Sequence, residues 1–221
     1  MKVAYAIATW NGFRLVETIQ SVPTGSRLLV VDTSQHDWCL AKAWNYATER
    51  LIRQEKYDAV IVMNDDIQLR PDTGDKLAKA LLQDQFTADV GVQLLLVSGY
   101  NTNGANAQAD EGDRFGVGGP DYSCFAIGED YLRVVGPFDE NFSPAYFEDN
   151  DSHYRIRRAG YEAAQFTPYT HHASTTLASD PALRRKVQSE GLFEKCRSYY
   201  ISKWGGEPGR EIFVDPFGVK P

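Results

Sequence analysis

The sequence predicts an α/β fold: a parallel sheet flanked by helices, with a short helical C-terminal tail. Two observations carry this. Short apolar runs alternate with helix-spaced stretches in the N-terminal part, which implies parallel pairing through right-handed crossovers. Three of those runs also end abruptly in polar residues, at Thr9, Asp32 and Asn64 to Asp66. In parallel order these ends share one rim, and open α/β sheets bind ligands beyond the carboxyl ends of their strands.

Val3 to Thr9 (VAYAIAT) reads as the first buried strand, and Trp10-Asn11-Gly12 as a turn into a helix over Phe13 to Val22. Pro23-Thr24-Gly25 breaks that helix, and Arg27 to Val31 is the second strand, ending in Asp32-Thr33-Ser34. Trp38 to Tyr57 has Leu40, Ala43, Trp44, Ala47, Leu51 and Ile52 on one helical face. Val60 to Leu69 (VIVMNDDIQL) is the third strand, interrupted by two adjacent aspartates that repel each other. A hard cation bound through oxygen would explain the pair; a solvated loop with a helix cap is the plainer reading. A helix over Thr73 to Phe86 and a strand over Val90 to Val97 complete the alternation.

From Ser98 the composition shifts, and residues 99 to 120 are rich in Gly, Asn and Asp without periodicity. A loop of that length is expected to act as a lid. Gly116, Gly118 and Gly119 lack the spacing of a phosphate loop and read as flexible backbone. Beyond them lie a strand over Tyr122 to Ile127, a short helix over Glu129 to Val135, and a turn at Gly136 to Glu140. Glu148 to Ala159 reads as a helix with acidic residues at its positive end, stopped by Gly160. A strand-like segment then reaches His171-His172, and Asp180 to Trp204 is helix-spaced with Gly205-Gly206 as its cap.

The chain of 221 residues is one large domain or two closely joined halves. Its net charge of −7 argues against a nucleic-acid backbone as main partner, since phosphate contacts need a basic face. Cys39, Cys124 and Cys196 form no CxxC or Cys/His pattern, so free thiols in a reducing compartment are expected. The apolar run after Lys2 is too short for a signal peptide, and no segment is long enough to span a bilayer. A cytoplasmic protein without stable membrane insertion is the expectation.

Three clusters can carry chemistry: Asn64 to Asp66, Glu148 to Asp151, and His171-His172. Asp151 and Arg155 form a favourable i,i+4 helix pair, which gives Asp151 a structural role. Glu148 and Asp149 stand at the helix entrance, where one carboxylate can cap and another can act as a general base. The histidines on their own read more readily as surface or core residues than as ligands, although a pair beside Ser and Thr strengthens the ligand reading.

In order and spacing, five stretches resemble the GT-A fold glycosyltransferases of the family 2 type. They are Ala8-Thr9-Trp10-Asn11, VVDTS to Ser34, VMNDDI around Asp66, GPFDENF from Gly136 to Phe142, and YFEDNDSHYRIRRAGY from Tyr146 to Tyr161. The HHASTT segment resembles the histidine motif that follows in that family, so the likeness runs from about Val3 to Thr176.

That resemblance implies a GT-A, Rossmann-like, mixed and mostly parallel sheet and an inverting, metal-dependent glycosyltransferase with a nucleotide-sugar donor, expected to be a UDP-sugar. Residues 1–98 would form the nucleotide-sugar half, 99–176 the acceptor and catalytic half, and 177–221 the helical tail. Thr9 and Asp32 would hold base and ribose, with Asn64 and Asp65 in support around ribose and phosphate. Asp66 would be the direct ligand of Mn²⁺ or Mg²⁺, completed by His171 or His172. Asp149 would be the catalytic base, with Glu148 beside it. Asn64 departs from the family, where an aspartate is common, and one negative charge is lost there. Aromatics of the tail, Tyr199, Tyr200 and Trp204, are candidates for stacking on the acceptor, although such spacing also fits a core. The acceptor stays open: glycan, protein side chain or modified nucleobase.

Two competing functions use similar scaffolds. A sugar-nucleotidyltransferase would carry a glycine-rich basic loop after the first strand, where this chain has Ala8-Thr9-Trp10-Asn11-Gly12-Phe13. A non-catalytic sugar-nucleotide or glycan-binding protein would be expected to have lost its acidic residues, which this chain keeps.

Overall fold

Strand β1 (Val3–Thr9) lies between β2 (Arg27–Asp32) and β3 (Ala59–Asn64), parallel to both. The computed structural model describes the chain except positions 11, 13, 35, 37, 84–90, 102–112, 172–180, 182–183, 186–189 and 220–221. For Pro168, Thr170 and His171 it describes the backbone alone. Helix α1 (Leu15–Ser21) links β1 to β2, and α2 (Leu40–Thr48) leads towards β3. The helix expected over Trp38 to Tyr57 is therefore shorter in α form, and it widens into a π-helix over Glu49–Gln54.

The third strand divides where its sequence turns polar. β3 ends at Asn64, Asp65 and Asp66 form a turn, and β4 (Ile67–Gln68) departs to the far edge of the sheet. Helix α3 (Thr73–Leu82) ends four residues before the expected Phe86. The next strand, β5 (Leu94–Asn101), starts later than expected and runs through Ser98 and Gly99. Composition misled here: burial against the sheet outweighs the low strand propensity of Ser98 and Gly99.

The sheet order is β2-β1-β3-β7-β5-β8-β4, with β6 (Gly116–Val117) also beside β8 (Glu162–His171). β7 (Cys124–Gly128) is antiparallel to both β3 and β5 and separates them. Uniform parallel pairing of the first four strands, read from alternation, therefore holds for β1, β2 and β3 only. β1, β2, β3, β5 and β8 share one direction, so the sheet is mixed and mostly parallel. Gly116 is part of strand β6, while Gly118 (φ 87°) and Gly119 (φ 55°) adopt the left-handed turn that glycine favours. These glycines shape a defined corner and are not slack chain.

The pleat sorts the core. Ala4, Ala6, Val60 and Val62 face Trp44, Phe125 and Phe138, whereas Tyr5, Ile7, Ile61 and Met63 face Leu77 and Tyr169. After β7 come α4 (Glu129–Val134) and α5 (Glu148–Arg158), on the Trp44 side. A third apolar cluster joins Phe142 and Phe147 to Cys196, Tyr200 and Trp204 of α6 (Leu192–Trp204). Tyr200 and Trp204 are fully buried, which makes them core rather than acceptor platforms. The three cysteines are free and buried. Among the described residues no helix is long and apolar enough to cross a membrane.

Candidate active site

Register puts the polar strand ends on one rim, as expected from parallel order. Thr9 pairs with Asp32, and Ala8 with Asn64. Thr9 is buried, and its hydroxyl donates to Asp65 Oδ2 at 2.5 Å while accepting from the Gly12 amide at 3.0 Å. The Thr9 carbonyl accepts from both the amide and the hydroxyl of Thr33, at 2.9 and 3.0 Å. Thr9 thus ties the ends of all three strands together. Asp65 is fixed from a second side, because Thr18 Oγ1 donates to its carbonyl at 2.7 Å.

Asp32 differs from its neighbours in being exposed. Hydrogen bonds from Ser34 hold its carboxyl below the usual range, so it stays ionised at the open rim. Asp66 is buried beside Asp65 in the turn. The β4–β8 ladder sets the backbone of His171 opposite Ile67, the residue after Asp66. The His171 side chain and all of His172 lie outside the described residues. Among the described residues no group of three or more His, Cys, Asp or Glu side chains is arranged to hold a metal.

Glu148 and Asp149 begin α5, and the two residues before them are strained. Tyr146 (φ 84°) and Phe147 (φ 70°) both adopt the left-handed region, which bulky residues avoid. Strain of this kind, of order 1–3 kcal/mol per residue, persists where surrounding packing over-determines it. Phe147 is held in the third apolar cluster, and the kink delivers both carboxyls inward. Glu148 is 5% exposed, and burial, reinforced by the neighbouring Asp149 charge, pushes it up to about 8. Burial also raises Asp149. The positive helix end opposes these shifts without cancelling them.

A cleft of about 340 Å³ joins these regions, lined among others by Asn64, Trp44, Asp121, Tyr122, Glu148 and Asp149. The end of β3 and the start of α5, far apart in sequence, therefore share one cavity. Thr9, Asp32 and Asp65 stand on the rim outside it.

Sequence reasoning missed Asp121. It sits beside the Gly- and Asn-rich stretch, where composition hid it. The start of an antiparallel strand lies at the same rim as the ends of parallel ones, and the Asn64 amide indeed donates to the Ser123 carbonyl at 3.0 Å. An acidic residue just before such a strand was the available signal. Asp121 Oδ2 accepts from the Tyr169 hydroxyl at 2.6 Å, and Oδ1 from the Ser123 amide at 2.9 Å. Its own amide donates to Ser98 Oγ at 2.9 Å. Gly99 makes room for this arrangement, since a Cβ there would lie 2.4 Å from Tyr169 Cδ1.

Asp151 plays the structural part read from its spacing. It is fully buried and accepts from Arg155 Nε at 2.9 Å and Trp204 Nε1 at 2.8 Å.

No family model and no curated protein sequence matches the chain. Solved structures do. The mannosyltransferase PcManGT from Pyrobaculum calidifontis, solved with GDP-Man and Mn²⁺, superposes with TM-score 0.55 at 13% identity, over 94% of this chain and 66% of that one. Glucosyl-3-phosphoglycerate synthase from Mycobacterium tuberculosis, solved with Mn²⁺, UDP-glucose and phosphoglyceric acid, gives 0.51 at 13% identity, over 89% and 79%. TarS from S. aureus gives 0.50 at 13% identity, over 91% and 74%. Together with the strand order, these likenesses establish that the chain has the GT-A fold.

Proposed function

We propose that the chain is a metal-dependent glycosyltransferase of the family 2 type, which moves a sugar from a nucleotide donor, a UDP-sugar, to an acceptor hydroxyl with inversion. The observation that carries this reading is the shared cleft of Asn64, Glu148 and Asp149 at the carboxyl rim of the parallel strands. The fold neighbours crystallised with GDP-Man or UDP-glucose and Mn²⁺ support a nucleotide-sugar donor and a divalent ion.

The rim suits such an ion. Asp65 and Asp66 are buried carboxylates in one turn, hard oxygen donors where a diphosphate would arrive. Asp66 would hold it, with His171 or His172 as the candidate second protein ligand, given the register of His171 beside Ile67. When bound, the ion supplies Lewis-acid stabilisation of the departing diphosphate. Asp65 is oriented by Thr9 and Thr18, and Asp32 offers an ionised carboxylate to base or ribose.

Asp149 takes the proton of the acceptor hydroxyl as its oxygen bonds to the sugar carbon. The bond from that carbon to the diphosphate breaks, and the nucleotide leaves with the electron pair. A base raised by burial is better matched to neutral pH than an ordinary aspartate. Glu148, protonated at neutral pH, keeps the coupled pair near a single negative charge. Attack from the face opposite the leaving group inverts the anomeric centre.

The test is Asp149→Asn. Transfer, read as nucleotide release with acceptor, should fall by ~10²–10⁴-fold while nucleotide binding persists. Transfer near the wild-type rate would remove Asp149 from the role of base.

A further inference from the structure

Two buried polar atoms beside the cleft lack hydrogen-bond partners among the described residues: Trp44 Nε1 and Glu148 Oε2. Both side chains line the cleft, and both residues are at least nine-tenths buried. Native interiors seldom leave such atoms unmade. Their chemistry is complementary, because an indole N–H only donates while a carboxyl oxygen accepts. A ligand's hydroxyl groups match both, since a hydroxyl can accept from an N–H such as that of Trp44 and donate to an oxygen such as that of Glu148. A second, separate observation concerns charge. Asp121 and Asp149 stand on the same wall, so a phosphate or carboxylate entering the cleft meets carboxylate groups and is repelled. At about 340 Å³ the space is at the small end of ligand pockets, roughly 300–1,000 Å³.

We infer that this cleft seats the acceptor and selects a neutral, polyhydroxylated sugar ring over an anionic one, with Trp44 and Asp121 as specificity-determining residues. The inference rests on the reading of Asp149 as the base. The ring beside Asp149 is the one whose hydroxyl loses its proton, while Thr9, Asp32 and Asp65 lie outside the cleft on the nucleotide side. Asp121 is held ready for a ligand, because Tyr169 and Ser123 fix its carboxylate in advance.

Saturation-transfer NMR tests it on the whole chain with diamagnetic Mg²⁺ and either UDP or GDP. The probes are neutral methyl hexosides, the corresponding methyl uronides, and hexose 6-phosphates. Neutral glycosides should bind at least about tenfold more tightly than the anionic ones, and Trp44→Phe should weaken them about tenfold. Asp121→Asn, which keeps the size of the side chain, should narrow the gap between neutral and anionic ligands. It also serves if Trp44→Phe fails to fold. Equal or tighter binding of the anionic ligands would overturn the inference, as would an unchanged preference in Asp121→Asn. Neutral rings that bind only as part of a nucleotide sugar would reassign the cleft to the donor and overturn it too. Absence of all UDP and GDP binding, with neutral glycosides still preferred, would instead sink the transferase reading and leave the ring preference standing.

Discussion

Lys203 Nζ lies 2.6 Å from Asp151 Oδ1, with both side chains shielded from solvent. The same ammonium reaches Asp139 Oδ2 at 2.7 Å, so one lysine of α6 joins helix α5 to the turn before it. The C-terminal helix is therefore fastened to the element that carries Glu148 and Asp149.

Removing that ammonium leaves Asp139 and Asp151 facing each other with less compensation. Lys203→Met should cost about 3 kcal/mol, as expected when one partner of a buried ion pair is lost. In a chain of this size that is a fall of roughly 6–12 °C in Tm. Thermal unfolding followed by circular dichroism measures it, and an unchanged Tm would show that the pair contributes nothing.

The raised Glu148 makes stability depend on pH with a defined sign. The folded state holds a proton that the unfolded chain releases near the ordinary glutamate range, so the native state binds more protons between there and about 8. The contribution is full below the unfolded value and is lost as pH rises through about 8. Glu148→Gln should therefore raise Tm at pH 8.5 by a few degrees, equivalent to ~1–2 kcal/mol, and have little effect at pH 4.5. Urea midpoints for both proteins across that range decide the matter; a gain at low pH alone would reverse the sign.

Asp66→Ala should abolish the metal dependence of nucleotide binding. With UDP at about 100 Kd and Mn²⁺ present, the unaltered protein should gain about 2.7 kcal/mol of stability, read as a thermal shift that chelator removes. The variant should show the small shift both with and without chelator. Should Mn²⁺ still enlarge the shift in the variant, another residue holds the ion.

Gly99→Ala adds a single methyl group where Tyr169 already stands, 2.4 Å from the new carbon. Displacing that ring should cost about 1–3 kcal/mol through overpacking. It should also free the Asp121 carboxylate from the Tyr169 hydroxyl. Denaturant midpoints test the first effect, and a shift of the Tyr169 ring resonances tests the second. A Tm equal to the parent would mean that the ring relaxes without cost.

Much of this arrangement could be read before the fold was known, because it depends on local signals. Apolar runs gave β1, β2 and β3, and the parallel order of those strands put Thr9, Asp32 and Asn64 on one rim. Spacing alone gave the Asp151–Arg155 pair. What escaped depends on distant contacts. β5 was misplaced because Ser98 and Gly99 become strand only through burial against β7 and β8. The position of β7 could not be read, since a strand joins a sheet far from its sequence neighbours for reasons of packing. Asp121 was lost for the same reason: its partner Tyr169 is remote in the chain. The strain at Tyr146 and Phe147 leaves no trace in composition, as neither residue favours a positive φ.

The placement of β7 bears on how the protein can be taken apart. Its partner strands β3 and β5 come from the N-terminal stretch, while β7 itself lies beyond the Gly-rich segment. A cut between residues 98 and 99 would strip β3 of one neighbour and leave β5 severed within its own length. Neither fragment would keep a closed set of strand pairs, and each would expose long unpaired edges prone to self-association. The pairing of β3 with β7 also spans a long loop of chain, so it closes late and slows folding. The N-terminal and C-terminal halves of the chain are thus woven into one sheet, and neither can be borrowed, swapped or evolved as a separate module without rebuilding the other.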